Sequence, residues 1–207
     1  MKLVYLITLF LVSHLISLNA NSLEDELANK TRWESVPLID DATHNFLLIE
    51  MDFGKGKGLF MVDTGAAMSA FNKNAAERFG LKVVDAKGRA RGIGGAFRKG
   101  KTVIPHLRSG PLDFEVTELK VLPIEVLEDK SSWGGHEVLG VLGSDLLSKF
   151  GMVLDVESAT LFSPREGRRP LLAKAKESGL EALPFSPDSL IPVLAAKVGE
   201  QSINALL

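Results

Sequence analysis

The chain lacks cysteine altogether among its 207 residues, which excludes disulfide bonds, thiolate metal sites and cysteine nucleophiles. Tyrosine occurs once and tryptophan twice, too few for a platform of stacked aromatic rings. The formal net charge of −2 excludes a strongly basic nucleic-acid binder but allows a local basic patch. The histidines show no metal-ligand spacing, so we expect neither a metal nor an organic cofactor; they are His14, His44, His106 and His136.

Long apolar runs are also missing, apart from one at the N-terminus. Lys2 precedes an uncharged run from Leu3 to Leu18, and the small residue Ala20 follows at the place where a signal peptidase would cut. This pattern predicts a signal peptide at residues 1–20 and export to the periplasm or the extracellular space. An uncleaved membrane anchor is the alternative. We expect residues 21–35 to form a polar leader.

Strand patterns dominate from Val36 onward. Residues 46–53 and 59–62 predict two strands that flank a glycine-rich turn and end at Asp63. One short helix is expected after Asn72 or Asn74 and before Gly80, and another at 144–150, where Ser144 is the expected N-cap and Gly151 the stop. Residues 152–162 predict a closing hairpin. The class is therefore mainly β with two short helices.

Asp63-Thr64-Gly65-Ala66 follows an apolar strand directly. A carboxylate in such a tight turn is partly desolvated, and two carboxylates that share one site cannot both ionise. The ionised acid can then act as general base on a water molecule, while the protonated acid donates to a substrate carbonyl. Asp63 is therefore the candidate catalytic residue.

Three segments, in this order, resemble the retropepsin-like aspartic proteases, which include the retroviral proteases and bacterial relatives. They are the catalytic strand and loop at 59–66, the glycine-rich tip of a flap hairpin at 92–95, and an apolar strand with a short helix at 138–151. The resemblance implies a small, closed β-barrel-like fold in a domain at 36–163. It assigns loop support to Thr64, Gly65 and Ala66, the flap to Gly92, Ile93, Gly94 and Gly95, and packing behind the loop to Leu142 and Gly143.

The resemblance also implies a second acid from outside this loop, because such folds work as homodimers or as two fused halves. After an expected linker at 164–189, residues 191–207 repeat the hairpin pattern of residues 46–62, with Leu207 at the position of Val62. We therefore hypothesise that residues 190–207 begin a second, truncated protease-like copy. The alternative is a C-terminal strand that pairs with the domain's own sheet.

Two other functions compete with an aspartic endopeptidase that hydrolyses peptide bonds. A peptide-binding module on the same fold could hold a peptide as an added strand without cleaving it. The segment from Gly95 to Thr102 also satisfies the P-loop pattern GxxxxGK[ST], which would indicate nucleotide binding. The Pro105 that follows opposes the helix that a P-loop requires. The expected partners are therefore a peptide or protein substrate and a second protease-like half, without nucleic acid.

Overall fold

The computed structural model describes residues 25–41, 46–92, 95–165, 193–198 and 201–206. Two compact units share the chain: one comprises residues 38–146, and the other comprises the residues up to 37 and from 147 onward. The expected signal peptide, most of the leader and most of the linker lie outside the described residues. Within the described residues, no helix is both long enough and apolar enough to cross a membrane.

The described chain is mainly β, as the sequence predicts. Its strands, in chain order, are β1 (Trp33–Pro37), β2 (Ile39–Asp41), β3 (Phe46–Asp52), β4 (Lys57–Asp63), β5 (Ala70–Asn72), β6 (Val83–Gly92), β7 (Gly95–Val103), β8 (Arg108–Ser109), β9 (Leu112–Asp113), β10 (Glu118–Leu122), β11 (Val138–Gly143), β12 (Val153–Asp155), β13 (Thr160–Pro164), β14 (Val193–Val198) and β15 (Gln201–Leu206). The helices are α1 (Lys73–Arg78), α2 (Ser144–Lys149) and two 3-10 turns at Glu125–Leu127 and Lys130–Trp133.

The strands of the 38–146 unit form one ten-stranded sheet with the order β6-β7-β10-β5-β11-β4-β3-β8-β9, and β2 pairs with β3. Among the described strands, no pairing joins β6 to the opposite end of this path, so the sheet is open. The expected closed barrel is therefore wrong, although the mainly β class is right. The geometry gives the reason: β6 belongs to a long hairpin at one edge, and β8 and β9 at the other edge are only two residues each.

Phenylalanine side chains fill the core of this unit. The Phe53 ring meets the rings of Phe71 and Phe79 edge to face with centroids 5.0 Å apart, and Phe60 meets Phe71 at 5.2 Å. These residues come from β4, β5, the β3–β4 turn and the end of α1, so the cluster packs the β3–β4 hairpin against α1. Edge-to-face contacts add about 0.5–1.5 kcal/mol each beyond the buried area.

Caps fix the ends of the short helix α1. The Asn72 side chain accepts hydrogen bonds from the backbone N–H groups of Asn74 and Ala75, so Asn72 and not Asn74 is the N-cap. Gly80 follows the helix with a φ of +65°, as a C-terminal glycine stop requires. The sequence therefore predicted both ends of α1.

The β3–β4 turn leads into β4, the strand that ends at Asp63, and Asp52 stabilises this turn. Its carboxylate accepts a hydrogen bond from the Gly54 N–H at 2.8 Å and lies 2.9 Å from Nε2 of His106. The Gly54 hydrogen bond, followed by the one to His106, lowers the pKa of Asp52 below its usual value. Gly54 has a φ of +76°, so this turn depends on a glycine.

The second unit contains two small sheets. In the first, β13 pairs antiparallel with both β1 and β12, and the hairpin of β12 and β13 matches the one predicted at 152–162. Because β1 begins at Trp33, the last three residues of the expected leader lie in a strand. In the second, β14 and β15 pair antiparallel with each other, and neither pairs with any other described strand.

Gly140 lies where β11 passes between β4 and β5. A Cβ atom at this position would lie 2.4 Å from the Ala70 carbonyl oxygen and 2.5 Å from Cε1 of Phe60, far inside van der Waals contact. Because one of these neighbours is backbone in the middle of a sheet, it cannot move away at low cost. Only glycine therefore allows the three strands to approach so closely.

Gly140→Ala is expected to lower the free energy of unfolding by about 1–3 kcal/mol, the usual cost of overpacking a core. Urea denaturation measures this change. The control is Val126→Ala, where the side chain is 57% exposed and the expected change is within about 0.5 kcal/mol. Equal losses in the two variants would contradict the close-packing argument.

Candidate active site

Asp63 is the last residue of β4 and begins a loop that turns back into β5. Strand β11 lies between these two strands: it runs parallel to β4, with Gly143 opposite Asp63, and antiparallel to β5. The loop at 64–69 therefore crosses the end of β11. This topology places the candidate acid at the end of a sheet interior rather than at a sheet edge.

The Asp63 loop is organised around its own carboxylate. The Gly65 N–H donates to Oδ1 of Asp63 at 2.8 Å, and the Ala66 N–H donates to the Asp63 carbonyl at 3.2 Å. Asp63 is half-buried and Gly65 is exposed, so solvent reaches this end of the loop. A Cβ at Gly65 would lie only 3.2 Å from Oδ1 of Asp63, so glycine also leaves room for the carboxylate. The acid is thus both oriented and accessible.

Ser144, at the start of α2, holds the loop from behind. Its N–H donates to the Ala66 carbonyl at 2.8 Å, and its hydroxyl donates to the Thr64 carbonyl. The expectation that Ser144 is the N-cap is therefore wrong: it is the first residue of the helix, and its hydroxyl is directed to the loop. The predicted stop at Gly151 agrees with the structure, since α2 ends at Lys149 and Gly151 has a φ of +62°.

Gly143 packs against the backbone of the loop, and the residue before it, Leu142, is buried. Leu142 is 1% exposed. A Cβ atom at Gly143 would lie 2.7 Å from the Met68 carbonyl carbon and 2.8 Å from the Ala66 carbonyl oxygen. Backbone therefore packs on backbone here, which leaves the loop little freedom to move toward β11.

The sequence did not predict the hydrogen bonds that link Ser69 to Asp145. Oδ1 of Asp145 accepts hydrogen bonds from the N–H and the hydroxyl of Ser69, both at 2.7 Å. The same hydroxyl accepts from the Gly143 N–H at 2.9 Å. The two residues are 76 positions apart, and no local pattern connects them. This link fixes the far end of the loop, while Ser144 fixes its middle.

The expected flap is the hairpin of β6 and β7. Gly92 pairs with Gly95 at its end, and Ile93 and Gly94 lie outside the described residues. Two residues before Gly92, near the tip of the hairpin, Ala90 is buried in a cluster with Ala70 and Leu122, and Met68 of the Asp63 loop packs against that cluster. One face of the hairpin is therefore turned toward the catalytic loop.

The P-loop interpretation of Gly95–Thr102 is wrong. These residues belong to β7, which pairs with β6 on one side and β10 on the other, instead of forming a loop before a helix. Lys101 binds Glu118 at 2.7 Å, and Thr102 is 1% exposed. Gly100, Lys101 and Thr102, the end of the pattern that would have to open a helix, are paired with strands on both sides, so they form no phosphate-binding loop.

Asp155, an acid of the second unit, has a local role. Asp155 accepts hydrogen bonds from the N–H groups of Glu157 and Ser158 and so closes the β12–β13 turn. Over the described part of the chain, no group of three or more His, Asp or Glu side chains could hold a metal ion. The catalytic loop therefore has Asp63 as its one acid with access to solvent, supported by hydroxyl and backbone groups.

Comparisons with known proteins were made by family model and by structure. The model of the aspartyl protease family matches residues 49–146, a segment that runs from β3 to α2 and contains the whole Asp63 loop. No curated protein matches the chain.

The solved structures that are similar to this chain include the following three. They are a retropepsin-like aspartic protease from Rickettsia conorii (19% identity, TM-score 0.44, covering 62% of this chain and 98% of that one), the EIAV protease in complex with an inhibitor (17%, 0.40, 55% and 95%) and the retroviral protease-like domain of Ddi1 from Leishmania major (18%, 0.39, 56% and 86%).

The site geometry and the family model coincide on one stretch of chain. The match ends at Leu146, immediately after the residues that hold the catalytic loop from behind. The predicted order of the Asp63 loop, a hairpin and an apolar strand falls within this stretch, and the helix after that strand begins in it and continues to Lys149. Residues 49–146, a little under half of the chain, are thus similar to the aspartyl protease family, and the whole Asp63 loop lies inside the matched segment.

Proposed function

We propose that the protein is an aspartic endopeptidase in which Asp63 is one of two carboxylates that activate a water molecule. The observation that carries this proposal is the Asp63 loop itself. Its carboxylate is oriented by the Gly65 N–H at 2.8 Å, yet the residue is only half-buried, so water and a peptide can reach it. The match of residues 49–146 to the aspartyl protease family supports the same chemistry.

The chemistry follows from sharing one proton between two acids. When two carboxylates lie side by side, ionisation of one disfavours ionisation of the other, so the pair keeps one proton over a pH range in which an isolated carboxyl group would already have lost it. The ionised acid removes a proton from the bound water, and the protonated acid donates to the carbonyl oxygen of the scissile peptide. Thr64 and Gly65 hold the loop, and the β6–β7 hairpin would cover the substrate.

The second acid must come from outside the Asp63 loop. Asp145 is directed to Ser69, and Asp155 closes its own turn, so neither completes the pair. A second copy of the chain, with its Asp63 loop facing the first, would supply an identical carboxylate. We therefore propose that this chain acts as a homodimer when no fused second half is present.

Asp63→Asn is expected to lower the rate of peptide cleavage about a thousandfold or more, because an amide cannot exchange the proton. Cleavage of a denatured protein or of a peptide library at acidic to neutral pH measures this. The matched control is Asp155→Asn, which removes the same charge from another hydrogen-bonded turn and should keep its activity. Peptide binding without cleavage by the wild type would favour the alternative of a non-catalytic binding module.

Mixing variants tests the origin of the second acid. Excess Asp63→Asn protein added to the wild type is expected to lower activity, because each mixed dimer has only one Asp63 carboxylate instead of two. Excess Asp155→Asn protein should instead raise it, since each added chain brings an intact Asp63. Activity that is unaffected by the Asp63→Asn protein, and that stays proportional to concentration on dilution, would contradict the homodimer.

The hairpin of β14 and β15 supports a second, fused source of this acid. Its register repeats that of β3 and β4 at a spacing of 145 residues: Leu48 pairs with Met61 as Val193 pairs with Leu206, and Asp52 pairs with Lys57 as Lys197 pairs with Ser202. Leu207 then takes the position of Val62. We propose that this hairpin opens a second protease-like half.

The reading frame beyond the codon of Leu207 tests this second half. We expect Asp-Thr-Gly or Asp-Ser-Gly to follow at once, because the repeated register puts the next residue at the position of Asp63. DNA sequencing of the gene decides the matter. A continuation that lacks this triplet would leave β14 and β15 as a simple hairpin.

A further inference from the structure

The β6–β7 hairpin carries a charge opposite to that of the rest of the chain. Residues 83–103 contain one acid, Asp85, and six basic residues, which gives them a formal charge of +5. Since the whole chain has a charge of −2, the remaining residues carry −7. The basic residues are Lys87, Arg89, Arg91, Arg98, Lys99 and Lys101.

Two of these arginines lie on the outer face of the hairpin. Arg89 and Arg98 are paired directly across the two strands, and both are exposed. Ala90, the next residue, is buried toward the catalytic loop, and successive side chains of a strand point to opposite faces. The two guanidinium groups therefore lie on the face that is turned away from Met68.

Like charges directly opposite each other destabilise a strand pair. The side chain of Arg89 donates from Nη2 to the Ala96 carbonyl at 3.2 Å, which anchors it without neutralising it. Lys101 is neutralised by Glu118, but among the ion pairs between described residues none includes Lys87, Arg89 or Arg98. The outer face thus keeps a repulsive pair that an added anion would relieve.

We propose that this outer face binds an acidic segment of the protein substrate, a carboxylate-rich stretch that flanks the bond to be cleaved. This inference rests on the proposed peptidase function. Arginine suits this partner because its planar guanidinium binds a carboxylate through two parallel hydrogen bonds. The substrate class is therefore polypeptides with Asp- or Glu-rich sequence beside the cleavage site.

The position of the hairpin in the sheet favours such a segment. β6 is the edge strand of the sheet, so one side of its backbone is free of any described strand. An extended peptide can add along such an edge, and its carboxylates would then lie beside Arg89. Because Ala90 near the tip of the hairpin packs in one cluster with Met68 of the Asp63 loop, a chain bound at Asp63 would lie next to this edge. At physiological ionic strength, charges act over about 8 Å, so the hairpin also attracts acidic chains before contact.

Binding to the Asp63→Asn protein tests the inference without cleavage. The probes are a fluorescein-labelled peptide with a glutamate-rich flank and the same peptide with glutamines, followed by fluorescence anisotropy. The glutamate peptide is expected to bind about tenfold more tightly at low salt and to lose most of this advantage at high salt. Equal affinities for the two peptides would overturn the inference.

Charge-neutralising variants locate the binding face. Arg89→Gln combined with Arg98→Gln should weaken binding of the glutamate peptide about fivefold and leave the glutamine peptide unchanged. The matched control, Lys73→Gln with Arg78→Gln, removes two exposed charges from α1 and should have little effect. Equal effects of the two double variants would overturn the assignment to this face.

Two further probes separate other anionic partners. Vesicles rich in phosphatidylserine and a single-stranded DNA should bind no more tightly than the glutamate peptide, and stronger binding of either would overturn the choice of an acidic peptide. A different result would show that the peptidase proposal alone is wrong. In that case the wild type cleaves neither peptide, while the Asp63→Asn protein still binds the glutamate peptide more tightly than the glutamine peptide. If the wild type cleaves both peptides equally well, the acidic-segment inference fails alone.

Discussion

The close backbone packing at the end of β11 is the constraint on which the candidate site depends. The catalytic loop crosses this strand end with no space for a side chain at Gly143, because Met68 and Ala66 backbone atoms occupy the position of its Cβ. The first residue of α2 can then reach two carbonyls of the loop at once. If the loop lay farther from β11, it would lose both the backbone packing against Gly143 and the hydrogen bonds from Ser144.

This packing fixes the side of the Asp63 loop that faces β11 and leaves the other side accessible to solvent. Behind the loop, Leu142 is buried, and the Ser69–Asp145 link joins the loop to the start of α2. In front of it, Asp63 is half-buried and Gly65 exposed. A hydrolytic acid needs both properties, since its carboxylate must be oriented before substrate arrives and must still be reached by water. The rigid side comes from the sheet, and the accessible side comes from the turn.

The open sheet leaves its most basic hairpin at an edge. A closed barrel would pair β6 on both sides, whereas here one side of that strand has no described neighbour. Edge strands invite pairing with other chains, and charged side chains are one way in which proteins prevent nonspecific pairing. On β6 the positive charges also select the partner, because they repel basic segments and attract acidic ones.

The sequence by itself determined the local features: the β3–β4 hairpin, a cap at Asn72 or Asn74, the stop at Gly151 and the placement of Asp63 directly after an apolar strand. Each follows from short-range patterns of hydrophobicity and of turn and cap chemistry. It also carried the order of segments that resembles the retropepsin-like aspartic proteases. The repeated pattern at 191–207 was visible too, and the register of β14 with β15 is the same as that of β3 with β4.

Only the tertiary structure decided how distant segments meet. The Ser69–Asp145 bond, the use of the Ser144 hydroxyl on the loop instead of as a cap, and the open sheet each depend on strands that come together from far apart in the chain. The P-loop pattern failed for the same reason, because strand pairing on both sides of β7 overrides a local glycine motif. Local patterns encode torsion angles and burial, whereas contacts between remote residues arise only when the whole sheet has formed.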